Sequence, residues 1–320
     1  MIPLAFGTVA VIALALTSLF FGASDVSLSA LLESGWNDEP IQILLVSRVP
    51  RTLAIILAGT ALAVSGTIMQ MLARNRFAEP STVGTVEAAK LGFLAVLILA
   101  PDAPILVKLL VASAFALLAT SLFLKILGQL PLQSMLIVPL VGIMLGGVIN
   151  AAATFIAHRF ELMQSLNSWT NGDFSGILMG RYELLWLAFG LTVFAYFLAD
   201  RFTVAGMGRD FTTSLGLDYG AVLSLGLIIV SVVTSVVVVT VGVIPFLGLV
   251  VPNLVSLVMG DNLRRSLPWV ALTGAGLVLI CDIGGRILIH PYEIPIGTTL
   301  GVVGSALFLG LLLRRRDRLV

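Results

Sequence analysis

Two guanidinium groups stand three positions apart in Ser47-Arg48-Val49-Pro50-Arg51-Thr52, at the head of a long apolar run. On a helix that spacing brings both to neighbouring positions. A cation at a helix start opposes the backbone dipole by about 0.3–1 kcal/mol, so a pair held there calls for an anion. Two anions suit it: carboxylates of a docking protein, gripped by charge-assisted hydrogen bonds, or lipid headgroup phosphates reached by snorkelling side chains. A third arginine, Arg286, closes Cys281-Asp282-Ile283-Gly284-Gly285-Arg286, four residues after an acid. Glu87 likewise precedes Lys90 by three. Both spacings place opposite charges on one helical face. Acids within apolar runs serve either as neutralised pairs or as a proton relay, and here neutralisation within the helix is the simpler reading.

The polar segment Asp200–Val222 is punctuated by Gly206, Gly208 and Gly216, which split it into two short helical patterns. A helix–turn–helix of that size can project from a larger body and seat in a groove on another protein. Other chemistries are missing from the sequence. There is no G-x-x-x-x-G-K-[ST] phosphate loop, so the chain does not hydrolyse ATP by that route. Cys281 is the single cysteine, and His158 and His290 match no zinc spacing. No Ser/His/Asp or Cys/His arrangement stands out.

The elements that must carry these groups are apolar helices. Hydrophobic residues make up 58% of the 320 and charged ones 11%, with a mean hydropathy of +1.09. Soluble domains carry about 25% charged residues, and a folded surface this apolar suits lipid, which accepts only helices or closed barrels. The runs are continuous rather than alternating, which selects helices. Candidate spans cover roughly 3–22, 51–72, 84–100, 105–124, 134–157, 184–199, 223–241, 244–260, 268–289 and 295–313, about ten in one all-α transmembrane domain over 1–320. The first run lacks a basic leader and reads as a retained span rather than a cleaved signal. A net charge of +1 leaves no nucleic-acid partner to expect.

With the N-terminus inside, alternation puts Arg74, Arg76, Lys125, Arg201, Arg209, Arg264, Arg265, Arg314, Arg315, Arg316 and Arg318 inside, eleven residues. Arg48, Arg51, Lys108, Arg159, Arg181 and Arg286 fall outside, six residues. The excess sets both termini in the cytoplasm. Pro139 and Gly142, and Pro245 with Pro252, interrupt or flank spans. Such breaks serve helix packing or a water-lined path.

In order along the chain, SRVPRTLAIILAGTALAVSG (47–66), RNRFAEPSTVGT (74–85), VGVIPFLGLVVPNL (241–254), MGDNLRRSLP (259–268) and CDIGGRILIHPYEIPIGTTLGVVGS (281–305) resemble the iron-chelate and vitamin B12 uptake permeases of type II ABC importers. WTNGDFSGILMGRYELL (169–185), GDNL (260–263) and PYEIPIG (291–297) are similar to the branch that handles catecholate-type siderophores. The resemblance implies ten helices, a second permease subunit (a different one favoured over a second copy), two cytosolic ATPases that use the ATP, and a substrate-binding protein that delivers a ferric siderophore. Vitamin B12 or haem uptake is the alternative within the family, and an ion-coupled carrier or a membrane scaffold the alternatives outside it. No cofactor or metal is expected in this subunit, and the place is a bacterial inner membrane.

By the same resemblance, Arg48, Arg51 and Arg286 dock the binding protein. Ala205, Gly206, Met207, Gly208, Leu215, Gly216 and Leu217 couple to the ATPase. Asn75, Phe77, Gln133 and Ser134 belong to inner gate loops, and Met144, Gly147, Asn150 and Thr154 line the path. Two positions depart from the family pattern: Arg76 stands where proline is usual, and Asn253 where histidine is usual.

Overall fold

The computed structural model describes residues 4–21, 38–129, 137–289 and 292–316. Gln133, Ser134 and His290 lie outside them. Every regular element among the described residues is helical. In chain order these are α1 (Leu4–Phe20), α2 (Glu39–Ile43), a π-helical turn (Leu44–Arg48), α3 (Val49–Leu72), α4 (Thr85–Leu99), α5 (Ile105–Leu127), α6 (Ile137–Arg159) and α7 (Met163–Thr170). Then follow α8 (Leu185–Phe197), α9 (Ala199–Gly206), α10 (Arg209–Ser214), α11 (Tyr219–Val241), α12 (Leu247–Met259), α13 (Leu263–Leu288) and α14 (Ile296–Arg316).

All ten expected spans fall on helices, but they are not equal. Six helical runs are long and apolar enough to cross a membrane, and α8 with α9, bent by 69°, makes a seventh. The remaining three, α1, α4 and α12, have 17, 15 and 13 residues. At 1.5 Å per residue α12 reaches only about 20 Å of a hydrocarbon layer near 30 Å. It is short because Phe246, in the left-handed region at φ 63°, and Gly260, at φ 77°, stop it at both ends.

α3 is the central helix: 89% of its most apolar stretch is buried, against 22% for α6 and 17% for α14. Its small residues let neighbours approach to backbone contact. A Cβ on Gly59 would lie 2.9 Å from the Gly274 carbonyl oxygen of α13, and one on Gly66 would lie 2.2 Å from that of Gly248 in α12. Pro252, inside α12, leaves the Gly248 carbonyl without its helical N–H. Gln70 Nε2 of α3 donates to that oxygen at 3.3 Å, repairing the break at the same crossing.

The second span starts earlier than its sequence indicates. The helical run is continuous from Ile41 to Leu72. Pro50 is absorbed by the π-helical turn, and the Val46 carbonyl it would orphan accepts from the Met179 N–H at 2.9 Å. Arg48 and Arg51 therefore do not sit at a free helix N-terminus, and the dipole argument for an external anion falls away.

Candidate functional site

Most of the candidate residues gather at the two ends of α3, about 36 Å apart for 24 residues. At the Val49 end the three arginines turn inward. Arg51 Nη2 meets Asp282 Oδ1 and its Nη1 meets Glu293 Oε2, both at 2.7 Å. Arg286 pairs with Asp282 Oδ2 across one helical turn and also donates to the Ser18 carbonyl at 3.0 Å and the Ser18 hydroxyl at 2.6 Å. Arg48 Nη1 donates to the Leu19 carbonyl at 2.7 Å. Asp282 is fully buried, Arg48 and Arg286 are nearly so, and only Arg51 and Glu293 reach the surface, at 12% and 24% exposure. The expected outward display of three guanidinium groups is replaced by a cluster in which one carboxylate binds two of them and the C-terminal backbone of α1 holds the third.

The neutralising reading of Asp282 and Arg286 holds. Glu87 and Lys90 differ: no ion pair forms between them among the described residues. Glu87 Oε2 is buried without a hydrogen-bond partner, close to Gly146 of α6, where an added Cβ would lie 3.4 Å away.

At the Leu72 end, residues 73–84 form a loop pinned from several sides. Asn75 is buried, and its Oδ1 accepts from the Phe77 N–H at 2.8 Å. Phe77 meets Phe308 of α14 edge to face, 5.8 Å between centroids. Gly142 of α6 touches the loop so closely that a Cβ there would lie 2.1 Å from the Thr82 carbonyl oxygen. Glu79, wholly buried, caps α12 by accepting from the backbone N–H groups of Phe246, Gly248 and Leu249, and from Ser81 Oγ at 2.5 Å. Burial outweighs these bonds and pushes its carboxyl up to about 7.

The two departures from the family pattern touch. Asn253 Nδ2 donates to the Arg76 carbonyl at 2.8 Å and to that of Leu249 at 2.7 Å. Arg76 in turn pairs with Asp261.

The segment 200–222 divides where its glycines fall, into α9 and α10, with Gly208 at φ 112° and Gly216 at φ 76°. Ala205, Phe202 and Thr212 face inward, and Thr212 Oγ1 donates to the Gly208 carbonyl at 2.7 Å, closing the corner. Gly206 lies against Met71 of α3. Met207, Phe211 and Leu215 remain exposed by about half, at 55%, 49% and 57%, and Gly216 beside them is exposed too. Leu217 is half-buried.

On α6 the packed face carries Gly142 and Gly146, while Met144, Gly147 and Asn150 are exposed and Thr154, half-buried, bonds back to the Asn150 carbonyl at 2.8 Å. An amide exposed halfway along an apolar helix is costly against lipid.

The FecCD transport family profile matches residues 10–315. The chain belongs to the FecCD transport family. This FecCD chain is 48% identical over 305 residues to the petrobactin import system permease protein YclN of Bacillus subtilis (strain 168), covering 95% of this chain and 96% of that one. It is 42% identical over 298 residues to the ferric-anguibactin transport system permease protein FatD of Vibrio anguillarum (strain ATCC 68554 / 775), covering 93% and 94%. The fold of this family member matches a solved inward-facing structure assigned to the metal-chelate type of ABC transporter, with a TM-score of 0.80, 22% identity, and 97% and 98% coverage.

Sequence spacing could not supply Glu293, Asp261 or Asp200, because each pairs with an arginine 64 to 242 residues away. Glu79 carried a faint signal, an acid between Ala78 and Pro80 in a loop joining two apolar runs.

Proposed function

We propose that this chain is the membrane-spanning permease subunit of an ABC importer that brings a ferric siderophore, of the catecholate type, across the bacterial inner membrane. The observation that carries the reading is the polarity of the molecule: an arginine–carboxylate cluster at one end of α3, and at the other the α9–α10 helix pair with Met207, Phe211 and Leu215 exposed. The exposed apolar side chains suit a groove on a cytosolic ATPase, which hydrolyses the ATP that this chain has no phosphate loop to bind. The petrobactin and anguibactin permeases to which it is similar supply the cargo class.

On this reading the α9–α10 end, with residues 73–84 and the C-terminus of α14, faces the cytoplasm. A binding protein docks at the opposite rim, where an incoming carboxylate exchanges with Glu293 on Arg51 and is steered by Arg48 and Arg286 behind it. Met144, Gly147, Asn150 and Thr154 line a path shared with a second, different permease subunit. Asn75 and Phe77 act in the inner gate, together with Gln133 and Ser134.

The test is uptake of iron-labelled ferric petrobactin by the assembled transporter in proteoliposomes, with any proton gradient collapsed. ATP-dependent accumulation is expected. Uptake that ignores ATP and needs the gradient would instead make this an ion-coupled carrier.

A further inference from the structure

The turn between α12 and α13 holds two ion pairs that point in different directions. Asp261 binds Arg76 of the 73–84 loop, with Oδ2 2.5 Å from Nη2. Arg264, three residues on, binds Asp200 in the first turn of α9, also at 2.5 Å. The turn between them is short and capped on both sides. Gly260 ends α12 with its N–H on the Ser256 carbonyl, at 3.0 Å, and Asn262 starts α13 by accepting from the Arg265 N–H at 3.3 Å. Asp261 lies between these two caps, and Arg264 lies in the first turn of α13.

We infer that Asp200, Arg264, Asp261 and Arg76 are positioning residues that relay movement of the α9–α10 pair to the 73–84 loop through this turn. The inference rests on the transport reading above, and gives it a mechanical link within one chain. Three observations carry it. The first is the chain of pairs itself, α9 to α13 to the turn to the loop. The second is room to move: a cavity of about 570 Å³ lies under the relay, lined by Gln70, Asn75 and Arg76 on the loop side and by Gly206, Met207 and Asp261 opposite. The third is the anchoring of the loop end. Arg76 is held by its side chain at Asp261 and by its carbonyl at Asn253, so force on the turn reaches the backbone next to Asn75.

A competing route exists. Gly206 rests on Met71, and Gly208 lies close to the Arg74 guanidinium. Those contacts act only at van der Waals range, where attraction per atom pair is slight. They let the α9–α10 corner push on the end of α3 and on Arg74 of the loop. An ion pair attracts over a longer distance, so it also transmits a pull. Motion in both directions is what alternating opening and closing requires.

The experiment uses the complete transporter in proteoliposomes, with ferric petrobactin as cargo, and measures iron taken up per ATP hydrolysed. Asp261→Arg is expected to lower that ratio about fivefold, the size of a surface ion pair's contribution, while ATP hydrolysis without binding protein stays unchanged. Adding Arg76→Asp, which restores the pair with its signs exchanged, should recover most of the ratio; Asp200→Arg with Arg264→Asp should behave the same way. If charge reversal prevents assembly, Asp261→Asn gives the same comparison with less disturbance. An unchanged ratio in the single variants, or no recovery on exchange, overturns the relay and assigns coupling to the Met71 and Arg74 contacts. A wild-type transporter that shows no ATP-dependent uptake overturns the transport reading, and the relay with it.

Discussion

The two ends of α3 handle charge in opposite ways. At the Val49 end, Asp282 is fully buried and binds two arginines at once. At the Leu72 end, Arg76–Asp261 and Arg264–Asp200 are each more than a third exposed. A buried pair is costly to form and more costly to break, because the partner left behind cannot be solvated. An exposed pair is cheap in both directions, since water replaces whatever is lost. The first arrangement fixes helices α1, α3 and α13 to one another. The second forms and breaks at little cost, and while formed it ties α9 and the 73–84 loop to the turn between α12 and α13. The contrast places the bonds that are costly to break at the arginine cluster and the cheaper ones around the 73–84 loop.

The sharpest way to break that contrast is Asp282→Asn. It leaves the buried Arg286 guanidinium without a carboxylate and Arg51 with Glu293 alone, and a loss of about 3–5 kcal/mol is expected. Thermal melting of the purified subunit in detergent reads it; a shift within error would mean that the cluster is not structural.

Gly66→Ala comes next. Its methyl would sit 2.2 Å from a backbone oxygen of α12, which no rotamer change relieves. A destabilisation of about 1–3 kcal/mol follows from overpacking, measured the same way, and normal melting would refute the close crossing.

Glu79 links the scaffold to the loop through protonation. Its carboxyl titrates near 7 when folded against an ordinary value of 4.5, so the folded state holds the proton more tightly than the unfolded one. Its contribution to stability is therefore complete below about pH 4.5 and declines as pH rises through about 7. Between pH 5 and 8, roughly spanning that window, wild-type melting should fall relative to Glu79→Gln, whose amide does not titrate. Parallel profiles would show that the carboxylate stays charged throughout.

Asp261→Asn should change stability by no more than about 1 kcal/mol, while the proposed relay predicts lower uptake per ATP. A large melting shift would move this pair into the scaffold class.

The smallest effect on folding belongs to Gly147→Ala, whose added methyl meets nothing within 4 Å in this chain. Melting of the isolated subunit should be unchanged. Transport by the assembled complex should fall if this face lines the path, and unaltered uptake would remove Gly147 from it.

Much of the scaffold was legible along the chain. All ten apolar runs became helices, because hydrophobic length is a local property that lipid reads directly. Gly208 and Gly216 marked the corners of the 200–222 segment, because a positive φ is a local demand. The Asp282–Arg286 pair was also visible, being one helical turn apart. The start of the second span was misread at Pro50, since proline commonly opens a helix and nothing nearby in sequence reveals that Met179 supplies the missing bond to Val46.

What only the tertiary structure decided is who partners whom across distance. That Arg51 meets Glu293, that Arg76 meets Asp261, and that Asn253 meets the Arg76 backbone all follow from helix crossings set by glycine contacts such as Gly66 with Gly248. The sequence by itself determined an apolar helical chain with charges at its ends. Whether those charges are locked or free to move depends on burial, and burial is a property of neighbours that lie far away along the chain.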